Sequence, residues 1–337
     1  MLPELRELDA LTGLGHPWLS RRLVAEVDLG AQRLPVHAYT LGSEAADAPV
    51  VGFFGGVHGL ERIGSEAVIA CLRHLVMRLR WDEPLHRLLE GLRLVFMPLV
   101  NPGGVLAGTR ANPRGVDLMR NAPVEALDGV PFLVGGQRLG PALPWYRGAK
   151  DAAMEVESAA LCALVETELL TRPFAIAVDC HSGFGLQDRL WLPYAHTARP
   201  IARLAEAHVV AEMLDQTLVH HRYLVEPQSR QYLAHGDLWD HLVLQSERQD
   251  ERVFLAFTLE MGSWLWVRKN PRQLFSRHGL FNPVLPHRQE RVLRRHMAWF
   301  DFIMRVAASH RRWLPAGAER ERHHRLALAR WYRPGST

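Results

Sequence analysis

The composition of the chain is that of an ordinary globular protein. It has 337 residues, of which 48% are hydrophobic and 23% charged, so it can bury a core and is not a disordered tail, a coiled coil or a collagen-like fibre. Forty basic side chains against 36 acidic ones leave a net charge of +4. Nearly all the basic side chains are arginines, since Lys150 and Lys269 are the lysines.

The cysteine content and the N-terminal sequence favour a cytoplasmic location. The cysteines are Cys71, Cys162 and Cys180. Three cysteines are too few for a disulfide framework, and their odd number favours a reducing compartment. The N-terminus carries acids where a secretory signal carries bases, and no window approaches the roughly 18 apolar residues of a membrane span. We expect a soluble, cytoplasmic protein that does not associate with membranes; the sequence indicates no oligomeric state.

Hydrophobic periodicity predicts strands that alternate with helices along the chain. Strands are expected at 23–28, 34–40, 49–56, 92–100, 174–180 and 253–259, the first two forming a hairpin. Helices are expected at 61–80, 152–170, 199–218 and 288–309. Such alternation predicts an α/β fold, a three-layer α/β/α sandwich with a mixed, mostly parallel central sheet.

Two of the predicted buried strands deliver metal-binding side chains where they end. His58 and Glu61 follow the strand at 49–56, and His181 lies at the end of the strand at 174–180. In open α/β sheets, ligand sites collect at the carboxyl ends of the strands. Two imidazoles and one carboxylate form a known catalytic zinc set. We therefore expect His58, Glu61 and His181 to hold one Zn²⁺ per chain.

A third apolar strand, at 253–259, runs directly into Glu260. A carboxylate in such a setting is expensive to bury without a partner. Next to a zinc-bound water it has a chemical use, because it can take a proton from the water and pass it to a leaving amine. Glu260 is therefore the candidate general base and acid.

Jointly, these segments resemble the signatures of carboxypeptidase A-type zinc metallocarboxypeptidases, in a clan that also contains aspartoacylase and succinylglutamate desuccinylase. Order and approximate spacing agree, since His181 follows Glu61 by 181 − 61 = 120 positions. The resemblance covers roughly residues 45–310. It is carried by His58-Gly-Leu-Glu61, Thr109-Arg110 through Gly115-Val-Asp117-Leu-Met119-Arg120-Asn121, Asp179-Cys-His181-Ser182, Tyr232 through Asp240, and Thr258-Leu-Glu260.

The resemblance implies roles for residues outside the metal set. Arg110 would polarise the scissile carbonyl and stabilise the developing oxyanion, and Asp117 would orient the His58 ring. Arg120 would hold the terminal carboxylate of the substrate through two parallel hydrogen bonds. Asn121 would also bind substrate, and Tyr232 would close over it.

Met119 is a departure from the family pattern. The family has an asparagine at this position, which helps the following arginine to grip a free carboxylate, whereas a thioether cannot donate a hydrogen bond. The main expectation is a metallocarboxypeptidase that acts on a peptide. Met119 and the expected intracellular setting favour the alternative, an amidohydrolase of the aspartoacylase or succinylglutamate desuccinylase type that acts on a small N-acyl amino acid.

The resemblance also divides the chain. Residues 1–44 would form an N-terminal segment with the hairpin, part of the same folded unit. Residues 45–310 would be the zinc peptidase domain, and 311–337 a basic tail. The tail is expected to pack poorly, as a solvated terminal helix rather than a nucleic-acid-binding arm. A basic protein that binds nucleic acid or an anionic surface is the non-enzyme alternative, and a nucleic-acid partner is not favoured because no recognised motif accompanies the charge.

Several histidines away from the motifs are interpreted without a ligand role. His208 and Glu212 stand one helical turn apart and are expected to form an exposed polar pair. His323 is expected to be a surface or turn histidine.

Overall fold

The centre of the computed structural model, which describes residues 2–249 and 251–332, is an eight-stranded sheet. The strands follow the order β1-β2-β4-β3-β5-β8-β6-β7 across it. Their bounds are β1 Ser20–Asp28, β2 Arg33–Gly42, β3 Val50–Gly55, β4 Arg93–Met97, β5 Phe174–Ser182, β6 Arg189–Leu192, β7 Leu224–Pro227 and β8 Val253–Met261.

The middle of the sheet is parallel and its flanks are mixed. Strands β4, β3, β5 and β8 pair in parallel, as do β6 and β7. The β1–β2 hairpin, the β2–β4 pair and the β6–β8 pair are antiparallel. The prediction of a mixed, mostly parallel sheet is confirmed, and the hairpin of the 1–44 segment extends this same sheet.

The central strands are apolar throughout because both of their faces are covered by helices. Successive side chains of a strand point to opposite faces. Phe53 packs against Phe300 on one face of the sheet, and Phe54 packs against Trp239 on the other. The helices are α1 Pro3–Thr12, α2 Arg62–Arg78, α3 Glu83–Glu90, α4 Pro102–Ala107, α5 Val156–Glu168, α6 Leu204–Thr217, α7 Leu238–Ser246, α8 Trp264–Lys269, α9 Pro286–Ala308, α10 His310–Trp313 and α11 Gly317–Trp331.

Three layers follow from these contacts. Helices α2 and α9 pack on each other and on β3 and β5, while α5 and α7 pack on each other and α7 also packs on β8. The predicted α/β/α sandwich is thus confirmed. Within the described part of the chain, no helix is long and apolar enough to cross a membrane.

The expectation that the basic tail packs poorly is wrong for its described part. Helix α11 packs against α6, and buried Trp331 donates its indole N–H to the carbonyl oxygen of Val225 at 2.8 Å. His323 and His208 are buried in this interface rather than exposed. Apolar side chains on one face of α11 (Ala327 and Trp331 among them) provide the buried surface. Positions 333–337 of the predicted tail lie outside the described residues.

Candidate metal centre and active site

Two imidazoles and one carboxylate meet at the carboxyl end of the sheet. His58 and Glu61 lie in the loop between β3 and α2, and His181 lies near the end of β5. His58 Nδ1 is 2.9 Å from Glu61 Oε1 and 3.3 Å from His181 Nδ1, and His181 Nδ1 is 3.0 Å from Glu61 Oε2. All three side chains are buried, and their donor atoms lie close enough to contact one ion.

Glycines let the β3–α2 loop carry His58 into this position. Gly56 has a φ of +70°, a region that other residues rarely adopt. A Cβ on Gly59 would overlap the backbone of Gly104 at the start of α4. The loop therefore passes tightly against α4 immediately beside the ligand, which only glycine allows.

Each histidine of the cluster is held from its far side by a buried aspartate. His58 Nε2 lies 3.0 Å from Asp117 Oδ1, and His181 Nε2 lies 2.7 Å from Asp179 Oδ2. Asp179 Oδ2 also accepts a hydrogen bond from the indole N–H of Trp239 at 2.8 Å. Carboxylates in this position fix the ring orientation of metal-bound histidines and raise their basicity.

The cluster favours positive charge at its centre. Burial opposes ionisation of Glu61, but His58 and His181 outweigh it and lower the pKa of Glu61. Burial likewise opposes a charged His181, but Asp179 and Glu61 outweigh it and hold the pKa of His181 well above its usual range. A divalent cation supplies that charge while the imidazoles stay neutral. Two nitrogens and a carboxylate oxygen are the donors of zinc sites, so these residues fit Zn²⁺.

Glu260 lies in β8, directly opposite His181 in the register of the two parallel strands. Burial and then repulsion from Glu61 raise the pKa of Glu260 to about 8. One of its oxygens accepts the backbone N–H of Phe184 at 3.0 Å, which fixes its position at the cavity wall. A carboxyl group held at the cavity wall in this way can accept a proton and later donate it.

Arg110 bridges the metal cluster and the aspartate behind it. Its Nε donates to Asp117 Oδ2 at 2.8 Å, and its Nη1 donates to Glu61 Oε1 at 3.1 Å. Although burial disfavours its charge, these carboxylates raise the pKa of Arg110, so it remains a cation. Its side chain is a quarter exposed and lines the cavity.

Arg120 is a buried arginine in the wall of the same cavity. Its Nη2 donates to the Tyr232 hydroxyl at 3.4 Å, and the guanidinium lies 5.7 Å from the centre of the Tyr232 ring. Its buried Nε has no hydrogen-bond partner among the described residues. An unsatisfied N–H on a buried cation is costly.

A cavity of about 370 Å³ connects the metal cluster to Arg120. It contains the predicted residues His58, Glu61, His181, Glu260, Arg110, Arg120 and Tyr232, together with Met119. Its walls are otherwise mostly apolar and aromatic: Val134, Trp145, Phe184, Trp191, Trp264, Leu280 and Phe281. Ligand sites commonly combine such walls with a few polar groups that fix orientation.

Asn121 does not belong to these walls, as far as the described residues define them. Its amide Nδ2 donates to the carbonyl oxygen of Arg147 at 3.0 Å, and its Oδ1 accepts the backbone N–H of Glu155 at 2.6 Å. Both polar ends thus hold the loop around the cavity. The structure thus places Asn121 outside the cavity wall with its amide engaged, and its contact with substrate stays a prediction.

Sequence reasoning assigned no role to Asp179 or to Trp145. Asp179 could have been recognised, because residues two apart on a strand point to the same face and Asp179 precedes His181 by two. Trp145 could not, because it lies in a loop without periodicity. Its φ of +59° is rare for a residue with a side chain, and this conformation places it in the cavity wall.

The protein is thus an α/β protein with a mixed central sheet and a donor set of two histidines and one glutamate, suited to zinc, where the parallel strands end. A family model, described as zinc carboxypeptidase, matches residues 25–263, more than half of the chain. The chain belongs to the zinc carboxypeptidase family.

Individual relatives agree with this placement. Carboxypeptidase D of Drosophila melanogaster is 30% identical over 93 residues, a stretch that makes up 25% of this chain and only 7% of that protein. The crystal structure of thrombin activatable fibrinolysis inhibitor aligns with a TM-score of 0.66 at 15% identity, covering 90% of this chain and 72% of that one. Carboxypeptidase A from Helicoverpa armigera aligns at 0.58 and 19% identity, covering 75% and 62%. The structural matches show the shared fold.

Proposed function

We propose that this chain is a zinc-dependent metallocarboxypeptidase that removes the C-terminal residue of a peptide. The observation that carries the proposal is that the buried guanidinium of Arg120 lines the same cavity as His58, Glu61, His181 and Glu260. An anion-binding group beside a metal-binding set positions an amide bond next to a free carboxylate.

His58, Glu61 and His181 would hold the zinc ion, which, when bound, lowers the pKa of water and polarises a carbonyl group. Glu260 accepts the proton of the attacking water and passes it to the departing amine. Arg110 donates hydrogen bonds to the carbonyl oxygen as negative charge develops on it. Asp117 and Asp179 keep the two imidazole rings oriented.

Arg120 binds the terminal carboxylate of the substrate, and Tyr232 covers that carboxylate. The Tyr232 ring lies next to the Trp191 ring, with 6.0 Å between the ring centres. The apolar walls of the cavity exclude water around the amide and favour an apolar terminal side chain. Trp239 does not contact the substrate, because its side chain is 2% exposed and its indole N–H is hydrogen-bonded to Asp179.

Met119 favours a second candidate. It lines the cavity beside Arg120 and is 5% exposed, and it cannot donate a hydrogen bond to a carboxylate. A cavity in which Arg120 has no neighbouring amide donor for a carboxylate also suits a small N-acyl amino acid, which would make the protein an amidohydrolase of the aspartoacylase or succinylglutamate desuccinylase type.

The test is to incubate the zinc-loaded protein with peptides that carry free or amidated C-termini, and separately with N-acyl amino acids, and to follow products by mass spectrometry. We expect loss of the last residue from the free peptides alone. Hydrolysis of N-acyl amino acids without any peptide cleavage would replace the first proposal by the second.

Glu260→Gln should abolish that activity without removing the metal. Glu157→Gln, which changes another buried glutamate on α5 outside the cavity, is the matched control and should retain turnover. Equal activity in the two variants would contradict the proposed role of Glu260.

A cytoplasmic location remains part of the proposal. Its support is that Cys71, Cys162 and Cys180 are all unpaired and buried, as is common for proteins of reducing compartments. Fractionation of the native cells would test it, and recovery of the protein outside the cytoplasm would contradict it.

A further inference from the structure

A second group of two histidines and one glutamate lies between α6 and α11. His208 and Glu212 are one turn apart on α6, and His323 faces them from α11. His208 Nδ1 is 3.1 Å from His323 Nδ1, and His323 Nδ1 is 3.9 Å from Glu212 Oε2. The cavity that contains His58 includes none of these three among its described lining residues.

The spacing of the donor atoms is that of a metal site. Two nitrogens bound tetrahedrally to zinc at about 2.0–2.1 Å lie roughly 3.3 Å apart. The two Nδ1 atoms are 3.3 Å apart at the centre formed by His58 and His181, and 3.1 Å apart here. The donor atoms of all three residues converge closely enough to contact a single ion.

The surroundings of His323 also resemble those of a metal-bound histidine. Its Nε2 lies 3.0 Å from Glu319 Oε1, so a carboxylate holds the nitrogen that faces away from His208. A carboxylate that accepts a hydrogen bond from the far nitrogen of a metal-bound imidazole fixes the orientation of the ring. Both histidines are buried, at 6% and 5% exposure, and the Trp331 ring packs edge-on against His208 at 5.7 Å.

The charges around the cluster favour a cation. Glu212 and Asp215 on α6 and Glu319 on α11 are acidic. The nearby arginines are paired with two of these acids, Arg330 with Asp215 at 2.9 Å and Arg322 with Glu319 at 2.7 Å. The two Nδ1 atoms face each other and can share only one proton. Protonating both of these nitrogens would place two positive charges side by side, and the two charges would repel each other. Neutral imidazoles with a carboxylate beside them are the form that binds Zn²⁺.

We propose that His208, Glu212 and His323 form a second, structural Zn²⁺ site that fixes the terminal helix α11 to α6. Such a site joins two segments 323 − 208 = 115 positions apart in the sequence. It is independent of the proposed peptidase activity, because it shares no residue with that site.

The experiment is to saturate the full-length protein with Zn²⁺, remove the excess by gel filtration, and count zinc per chain by mass spectrometry of the metal. We expect two equivalents in the wild type, one in His323→Ala and one in His181→Ala. His324→Ala, a neighbouring histidine on the same helix, is the matched control and should retain two. A wild-type count of one that does not fall in His323→Ala would overturn the proposal.

A second variant and a direct measurement protect the test against misfolding. Glu212→Gln changes a side chain that is 39% exposed and should weaken Zn²⁺ binding at this site at least tenfold with the fold intact by circular dichroism. Anomalous diffraction at the zinc edge should show a peak between α6 and α11 besides the one at His58. A single peak at His58 would show that the histidine pair is held by a hydrogen bond alone.

Discussion

Among the described residues, two clusters each contain two histidines and one glutamate, and they differ in the side chains around the donor atoms. The first, named the sheet-edge cluster, consists of His58, Glu61 and His181 at the carboxyl ends of the central strands. Each of its two histidines is backed by a buried aspartate, Asp117 or Asp179. Between α6 and α11, one histidine is backed by Glu319, whose side chain is 55% exposed. The carboxylates behind the donors are therefore buried in one cluster and exposed in the other.

The second difference is what lies next to the donors. The sheet-edge cluster opens into a cavity with Glu260, Arg110 and Arg120, while the helix cluster lies in a packed interface beside Trp331. A proton-transfer group and an anion-binding group beside the metal are what hydrolysis needs. The comparison indicates that the neighbours of a metal site decide between catalysis and structure.

The largest expected effect tests whether Glu260 makes the sheet-edge cluster catalytic, in contrast to the cluster between α6 and α11. Glu260→Gln removes the proton acceptor and should lower kcat by about 10²–10⁴-fold, with zinc content at His58 unchanged. Steady-state kinetics and metal analysis on one preparation provide the measurement. A kcat within threefold of the wild type would remove the distinction drawn between the two clusters.

The next effect concerns the anion-binding group of the cavity. Arg120→Lys keeps the charge but loses the planar, two-pronged donor, and hydrogen bonds to charged groups contribute about 1.5–3 kcal/mol. We expect KM for peptides with a free C-terminus to rise about 10–100-fold and kcat to change less. An unchanged KM would mean that Arg120 does not touch the carboxylate.

A paired measurement compares the carboxylates behind the two clusters. Asp179→Asn should weaken zinc binding at the sheet edge by about 10–100-fold, because Asp179 is fully buried against His181. Glu319→Gln should weaken binding at the helix cluster by less than that, because solvent already screens Glu319. Competition with a chelating dye measures both affinities, and a larger effect for Glu319 would reverse the comparison.

The smallest effect is a gain. Met119→Asn introduces a donor beside Arg120 and should lower KM for free-carboxylate peptides about fivefold, consistent with roughly 1 kcal/mol for a net hydrogen bond. The same kinetic assay with amidated peptides is the control, since these have no carboxylate to bind. A higher KM for both would mean that Met119 acts through apolar packing instead.

The parts of the fold that could be predicted were those with strong periodicity. The apolar runs that became β3 and β5 are buried along their full length, and such runs are recognisable without the structure. Strands β6 and β7 have four residues each, which is too few for a period to show. β6 is placed in the sheet by pairing with β8, and β7 by pairing with β6, contacts that no local pattern encodes.

The same reasoning explains what was found and missed around the donors. His58, Glu61, His181 and Glu260 could be predicted because each ends an apolar strand or follows one. The burial of His208 and His323 could not, because it depends on α11 returning over α6 from more than 100 positions away. A strongly basic helix such as α11 looks solvated in the sequence, and its few buried side chains, such as Ala327 and Trp331, are visible only in place.

The pairing of His181 with Glu260 across β5 and β8 has a consequence for how this protein can diverge. Neighbouring strands keep a spacing of about 4.8 Å that backbone hydrogen bonds enforce, so the distance between His181, the proposed metal ligand, and Glu260, the proposed proton carrier, is insulated from changes elsewhere. Loop residues such as Trp145 and Tyr232 shape the remainder of the cavity. Drift in those loops can therefore reshape the cavity while the spacing of His181 and Glu260, on which the proposed chemical step depends, is inherited intact.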